Sequence, residues 1–304
     1  MRTVFNMLRV PNLMIIAFTF LLLRYLIFIP VYSFYSLNAG MGSLHYLLMI
    51  TATILIAAAG YISNDYFDVV SDRINKPGKH YIGIKISQGS ALAIALVLSF
   101  FAIILAIALA ISIQNFIPAL LLLLALAVAW WYALKLKRSL MWGNFAVACM
   151  SAGTIAMAWI IELQFSQVPD AAFRIITGII AAISIFAYLL SLMREIVKDI
   201  EDIEGDSMIK CRSLPIVKGI PFTKIIVLML SEITLILLLI SQLYLLEYLK
   251  YAAAIWLFIG VEIPFIFFLK ALKHADKKSD FHKLSIMLKW IMLGGMGTII
   301  AGQF

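Results

Sequence analysis

Runs of about twenty apolar residues, repeated from one end of the chain to the other, restrict this sequence more than anything else in it. Nine such runs lie near 11–31, 45–66, 90–113, 116–134, 142–162, 172–194, 222–246, 250–270 and 284–302. A helix of that length crosses the hydrocarbon core of a bilayer. Only 13% of the 304 residues are charged and 64% are apolar, which leaves too little charge to cover a soluble domain. The expectation is an all-α integral membrane protein of nine transmembrane helices. The first run is too long for a signal peptide, and no small-residue cleavage site follows it. Connections 114–115 and 247–249 read as tight turns. No Pro/Gly/Ser linker divides the chain, so residues 1–304 read as one domain.

The positive charges orient the helices. With the N-terminus in the cytoplasm, every one of the 24 Lys and Arg except Arg24, Arg174 and Lys250 falls at or near the cytoplasmic side. This is the asymmetry that the positive-inside rule describes, and nine spans then leave the C-terminus outside. The net charge of +8 requires no nucleic-acid partner. A basic cytoplasmic face suits anionic lipid head groups and phosphorylated substrates. Cys149 in a span and Cys211 in a cytoplasmic loop are not placed to form a disulfide. His45, His80, His274 and His282 lack metal-ligand spacing and read as packed or interfacial residues.

The acids are the informative minority. Of 16 in the chain, three are crowded into NDYFDVVSDRINKP as Asp65, Asp68 and Asp72, at the cytoplasmic end of the second span. REIVKDIEDIEGD, at the cytoplasmic end of the sixth span, holds Glu195, Asp199, Glu201, Asp202, Glu204 and Asp206. Asp199, Asp202 and Asp206 repeat the DxxDxxxD spacing of the first set, which hints at a pseudo-repeat of spans 1–4 and spans 5–8. On a helix, residues at i, i+3 and i+7 share one narrow face. Asn64 lies at the edge of that face, and Tyr188, Glu195 and Lys198 join it in the second set. Glu201 and Glu204 point elsewhere and read as a solvated face. Gly205 reads as a helix end just before Asp206. Glu162, Glu232, Glu247 and Glu262 read as isolated, most of them close to span ends.

Three carboxylates on one helix face repel one another, and near a membrane boundary the penalty grows. A divalent cation would relieve it. Mg²⁺ prefers oxygen ligands and often joins one or two carboxylates to a substrate phosphate, so two facing clusters could hold a diphosphate through metal. Arg73, Lys135, Lys137, Arg138, Arg194 and Lys198 could meet phosphate oxygens, or could serve only as topology signals. Trp130, Trp131, Tyr132, Trp142, Phe145 and Tyr188 could line an isoprenoid tail, or could pack against lipid and other helices.

Together these residues resemble the UbiA superfamily of intramembrane prenyltransferases. NDYFDVVSD and KDIEDIEGD are similar to its two aspartate-rich motifs, and WYALKLKRSLMWGN is similar to its segment between spans four and five. NDYFDxxxDxxNKP, REIVKDIEDIEGD and the later SLPI most resemble the digeranylgeranylglyceryl phosphate synthase group. The chain departs from the family at Gly78 to Ser87, GKHYIGIKIS, where relatives commonly carry an RPIPSG-like segment. The resemblance implies a helical bundle with a central cavity open to the cytoplasmic side and to lipid, in a prokaryotic plasma membrane. It implies that Asp65, Asp68, Asp72, Asp199, Asp202 and Asp206 hold Mg²⁺, with Asn64 contacting the metal-bound diphosphate or orienting Asp68. Arg73, Lys137, Arg138, Arg194 and Lys198 would then meet the diphosphate, and Tyr132 and Tyr188 would face the allylic carbocation. The donor implied is geranylgeranyl diphosphate and the acceptor a glycerol-phosphate ether lipid. Other branches prenylate an aromatic quinone precursor.

Two readings from other classes compete. Acids at membrane depth also mark cation transporters, although both clusters here sit at one face. CDP-alcohol phosphotransferases also hold metal on membrane aspartates, but the DG and AR of their motif are missing. Prenyl length and acceptor are not readable. Nor is the oligomeric state, because Gly294, Gly295, Gly297 and Gly302 could pack against this chain or another.

Overall fold

The structure, a computed structural model, describes residues 2–37, 40–75, 81–165 and 167–303, with side chains from Phe5 onward. Among them are nine helices long and apolar enough to cross a membrane. They are α1 (Val10–Phe34), α2 (Ser43–Phe67), α3 (Gln88–Ser112), α4 (Ile117–Leu134), α5 (Trp142–Glu162), α6 (Asp170–Glu201), α7 (Ile220–Glu247), α8 (Tyr251–His274) and α9 (Lys278–Ala301). The described residues contain no sheet, only a single bridge between Ile82 and Ile86. The tight turns expected after α3 and α7 are present, with Gln114 (φ 52°) and Leu249 (φ 57°) in left-handed backbone. The helix α6 runs past residue 194 to Glu201 and so carries Lys198 and Asp199 as helix, the continuity that a face shared with Tyr188 requires.

Contacts divide the chain into two units. The first comprises Met1–Lys137 with Gly153–Ser184, and the second Arg138–Ala152 with Ile185–Phe304, so α5 and α6 each contribute to both. In the first unit α3 lies against α2 and α4. Its buried face is Leu109 and a stripe of small residues, Ala91, Ala95, Ser99, Ala102, Ala106 and Ala110. Lipid offers helices no hydrophobic reason to associate, so close approach over small side chains supplies the dispersion contacts that hold them. The one hydroxyl in the stripe, Ser99, accepts a hydrogen bond from Trp130 Nε1 of α4 at 3.0 Å.

Two helices widen by one residue per turn, at Leu23–Phe28 in α1 and at Phe258–Glu262 in α8. In each case a proline follows one residue later, Pro30 and Pro264, and cannot return an N–H to the carbonyl four residues back. Each wide turn buries one ionisable side chain. Arg24 donates to the carbonyl of Met41 at 2.8 Å and lies over the Tyr46 ring, while Glu162 accepts the Met41 N–H at 2.9 Å. Glu162 is therefore part of a buried polar cluster, contrary to the isolation expected from the sequence. Glu262 is buried midway along α8, also away from the span ends where most of these acids were expected, and its Oε1 has no partner.

The second unit is organised by α6, α7, α8 and α9 around Val197, Leu214, Phe265, Phe268, Phe281 and Leu288. Glycines let α8 and α9 meet. A methyl group placed on Gly294 would stand 2.2 Å from the Gly260 carbonyl oxygen, and one on Gly297 would stand 2.2 Å from Trp256 Nε1. Trp256 Nε1 in turn donates to the Gly294 carbonyl at 2.9 Å. Two of the four C-terminal glycines thus serve packing within this chain, whereas Gly295 faces open space.

Candidate active site

Both aspartate motifs fall where a membrane helix is distorted, and the distortion is the same. Asp68 follows α2 with φ −95° and ψ 3°, and Asp202 follows α6 with φ −96° and ψ 7°. Short helices continue beyond them, Val69–Asn75 and Ile203–Met208. The backbone bonds from Asp68 N–H to Asn64 O (3.0 Å) and from Asp202 N–H to Lys198 O (2.8 Å) persist across the break. The uninterrupted helix face expected for each triplet is therefore corrected to two helical segments joined at the middle aspartate. Gly205 lies within the second short helix and does not end it. Asp206 is consequently placed in helix, buried, with its carbonyl accepting the Cys211 N–H at 3.0 Å.

In the first unit the carboxylates have cationic partners. Asp68 is buried, and its Oδ2 accepts from Asn64 Nδ2 at 2.8 Å and from Lys137 Nζ in a salt bridge. Asp65 Oδ1 lies 2.6 Å from Arg9 Nη2. Arg9 itself takes left-handed backbone at φ 50° where the chain enters α1, a conformation that costs a residue with a side chain about 1–3 kcal/mol. Its guanidinium sits over the Tyr61 ring, 5.0 Å from the centroid. Burial opposes the charge on Arg9, but Asp65 and Tyr61 outweigh it, with a smaller contribution from Tyr132, and hold the guanidinium protonated above its ordinary value. Asp72 is half-buried in the following short helix. Arg73 is exposed and reaches toward Gly83.

The loop after the first motif packs on it. Ile82 is buried with Met7, Ile62 and Val69, and Asn6 Nδ2 donates to the Tyr81 hydroxyl at 2.8 Å. Gly78, Lys79 and His80 of the divergent segment lie outside the described residues, as do Lys76 and Pro77.

In the second unit Asn144, buried at the start of α5, donates through Nδ2 to Asp199 Oδ2 at 2.8 Å. Ser151 and Ser191 join α5 to α6 at 2.9 Å, one turn or more further into the membrane. Arg194 Nη1 pairs with Glu195 Oε1 at 2.8 Å, while its buried Nε has no protein partner. The Arg138 carbonyl accepts the Arg212 N–H at 3.1 Å, tying two basic loops together, and both side chains are exposed. Tyr188 is half-buried against the unit's apolar core. Glu204 is exposed, as the sequence suggests, but Glu201 is not on a solvated face: it is largely buried and paired with His282.

Among the described residues no three His, Cys, Asp or Glu come together as metal ligands. Each motif taken by itself nevertheless offers three carboxylates, the oxygen donors that a hard cation takes, and the first adds Asn64 Oδ1, a buried acceptor with no partner. Asp65 and Asp68 already face positive charge, from Arg9 and Lys137, which shows that these positions favour a cation. Sequence reasoning missed Arg9 and Asn144 as partners of the aspartates. The signal available for both was a polar side chain at the edge of an apolar run, Asn144 lying inside the segment WYALKLKRSLMWGN.

Known proteins resemble this chain in sequence and in fold. Residues 13–293 match the model of the UbiA prenyltransferase family. A digeranylgeranylglyceryl phosphate synthase from Methanosphaera stadtmanae is 32% identical over 241 residues, covering 79% of this chain and 80% of that protein. A solved structure of a digeranylgeranylglyceryl phosphate synthase superposes with a TM-score of 0.65 at 24% identity, over 99% of this chain and 97% of the other. A UbiA homolog from Archaeoglobus fulgidus bound to GPP and Mg²⁺ superposes with a TM-score of 0.57 at 17% identity, over 98% of this chain and 99% of the other.

Proposed function

The chain belongs to the UbiA prenyltransferase family, and from that premise we propose that it moves a geranylgeranyl group from its diphosphate to a glycerol-phosphate ether lipid. It is an integral membrane prenyltransferase, which sets aside the transporter and CDP-alcohol readings. The observation that carries the proposal is the repeated motif, with Asp68 and Asp202 in one backbone conformation, in a chain this similar to a digeranylgeranylglyceryl phosphate synthase.

Asp65, Asp68, Asp72, Asp199, Asp202 and Asp206 would hold Mg²⁺. Support comes from the oxygen donor set and from the A. fulgidus homolog that binds GPP and Mg²⁺. The ion, when bound, would supply electrostatic stabilisation of charge building on the leaving diphosphate. Asn64 orients Asp68 through its amide nitrogen, and its Oδ1 is left buried and without a partner. Lys137 and Arg9 would keep the aspartates in place before substrate arrives and could then turn to phosphate oxygens. Arg73, Arg138, Arg194 and Lys198 are further candidates for phosphate contact.

The bond between the allylic carbon and the diphosphate oxygen breaks, and the electron pair leaves with the diphosphate. The resulting carbocation is held near aromatic faces, with Tyr132 and Tyr188 as candidates. The acceptor hydroxyl oxygen then bonds to that carbon and releases its proton, giving an ether and free diphosphate. The charge asymmetry of the loops supports an active site and N-terminus on the cytoplasmic side, within one domain that carries both motifs.

The test is to supply purified protein with geranylgeranyl diphosphate and a panel of acceptors, then identify products by mass spectrometry. An ether formed on geranylgeranylglyceryl phosphate is expected. Prenylation of an aromatic ring alone would overturn the acceptor assignment.

A further inference from the structure

The second motif is held from one side by the start of α9. Lys278 and His282 are four residues apart and so share a helix face. They meet Glu204 and Glu201, the acids on either side of Asp202. His282 Nδ1 lies 2.8 Å from Glu201 Oε1, and Lys278 Nζ lies 3.9 Å from Glu204 Oε2. The two contacts are not equal. The side chains of Glu204 and Lys278 are 70% and 40% exposed, a setting in which an ion pair contributes little. That of Glu201 is 16% exposed, so its carboxylate has lost most of its water and depends on a protein partner.

α9 does not need His282 to stay in place. Phe281 and Leu284 are buried in the same core as Ile196, Val197 and Ile200 of α6. What the histidine adds is direction. Glu201 is the last residue of α6, and Asp202 immediately after it carries the distortion of the chain. A Glu201 side chain fixed from α9 restricts the rotation that aims the Asp202 carboxylate.

We infer that His282 is a positioning residue for the second motif, acting through Glu201 on Asp202 and thereby on the affinity for a divalent cation. The inference rests on the proposal above that this motif holds metal. The test uses the full chain purified in detergent and titrated with Mn²⁺, with and without a non-reacting prenyl diphosphate analogue, following free Mn²⁺ by electron paramagnetic resonance. H282A is expected to weaken binding by about three- to tenfold, at or below the usual effect of losing a group that supports a ligand. E201A should match it, and the double variant should be no worse than either. H282N, whose amide nitrogen takes the place of Nδ1, should restore binding, and K278A should leave it unchanged. Prenyl transfer should need more metal for half-maximal rate in H282A yet reach the wild-type rate at saturation. H282L, which keeps bulk without the hydrogen bond, should show the same loss if H282A does not fold. Wild-type Mn²⁺ affinity in H282A, H282L and E201A would overturn the inference alone. A wild-type protein that binds no Mn²⁺ under either condition would overturn the metal proposal itself.

Discussion

Asn144 and Asp199 meet at 2.8 Å, an amide from the first turn of α5 against a carboxylate from the last turns of α6. Both residues sit near helix ends, and the amide holds Asp199 from one side. Replacing Asn144 with alanine is expected to lower prenyl transfer by about 10–100-fold, the usual cost of losing a partner that orients a metal ligand. N144D should be at least as damaging, because it sets a second negative charge against Asp199. Initial rates over a range of Mg²⁺ concentrations check both.

Asp68 is buried and accepts from Asn64 and Lys137 through a single oxygen, Oδ2. D68A and D202A are each expected to abolish transfer while the protein still inserts and elutes as a folded species on size exclusion. Full activity in purified D68A would remove Asp68 from the metal site. K137M should also depress transfer strongly, since it takes a cation from a buried carboxylate and from the phosphate path.

Removing the divalent cation is a separate check. Turnover is expected to stop in excess EDTA and to return on adding Mg²⁺, read by the appearance of the prenylated product. Activity that persists through chelation would rule out the proposed role of the carboxylates.

The α8–α9 contact predicts a graded series. G294A drives a methyl group toward the Gly260 carbonyl and should destabilise the protein by about 1–3 kcal/mol, the usual range for overpacking. G297A meets Trp256 Nε1, which belongs to a side chain and can give a little, so its effect should be smaller. G295A faces open space and should be neutral. Thermal denaturation in detergent orders the three.

Arg24 and Glu162 grip the Met41 peptide from its two sides, one at the carbonyl and one at the N–H. R24M strands Glu162 in a buried site and is expected to cost about 3 kcal/mol or more. The R24M/E162Q pair should recover part of the loss. Melting temperatures of the single and double variants measure the difference.

The bilayer made the fold legible in the sequence. A span needs twenty apolar residues and its ends need charge, so the nine helices could be placed before any coordinates. Spacing likewise exposed Asp65, Asp68 and Asp72 beside Asp199, Asp202 and Asp206. Periodicity could not show that the helix bends at the middle aspartate, because the i to i−4 bonds continue through Asp68 and Asp202 and the residue pattern does not change. Arg9, Asn144 and His282 were hidden for another reason. Each is ordinary in its local sequence and gains meaning only from a carboxylate far along the chain. The wide turns before Pro30 and Pro264 were readable as proline sites, but not as turns that bury Arg24 and Glu262.

Those wide turns also set the rotational phase of the helix beyond them. The segment Phe258–Glu262 holds one residue more than a regular turn needs. Winding the same residues as ordinary helix, with none removed, would pass that extra residue on down the axis. Everything beyond would then swing by about 100° around the axis. Phe265 and Phe268, now fully buried, would face the lipid, and Phe267, now exposed, would be carried off that outward face. The irregular turn in α8 is therefore what keeps the second half of that helix in register with the core it completes.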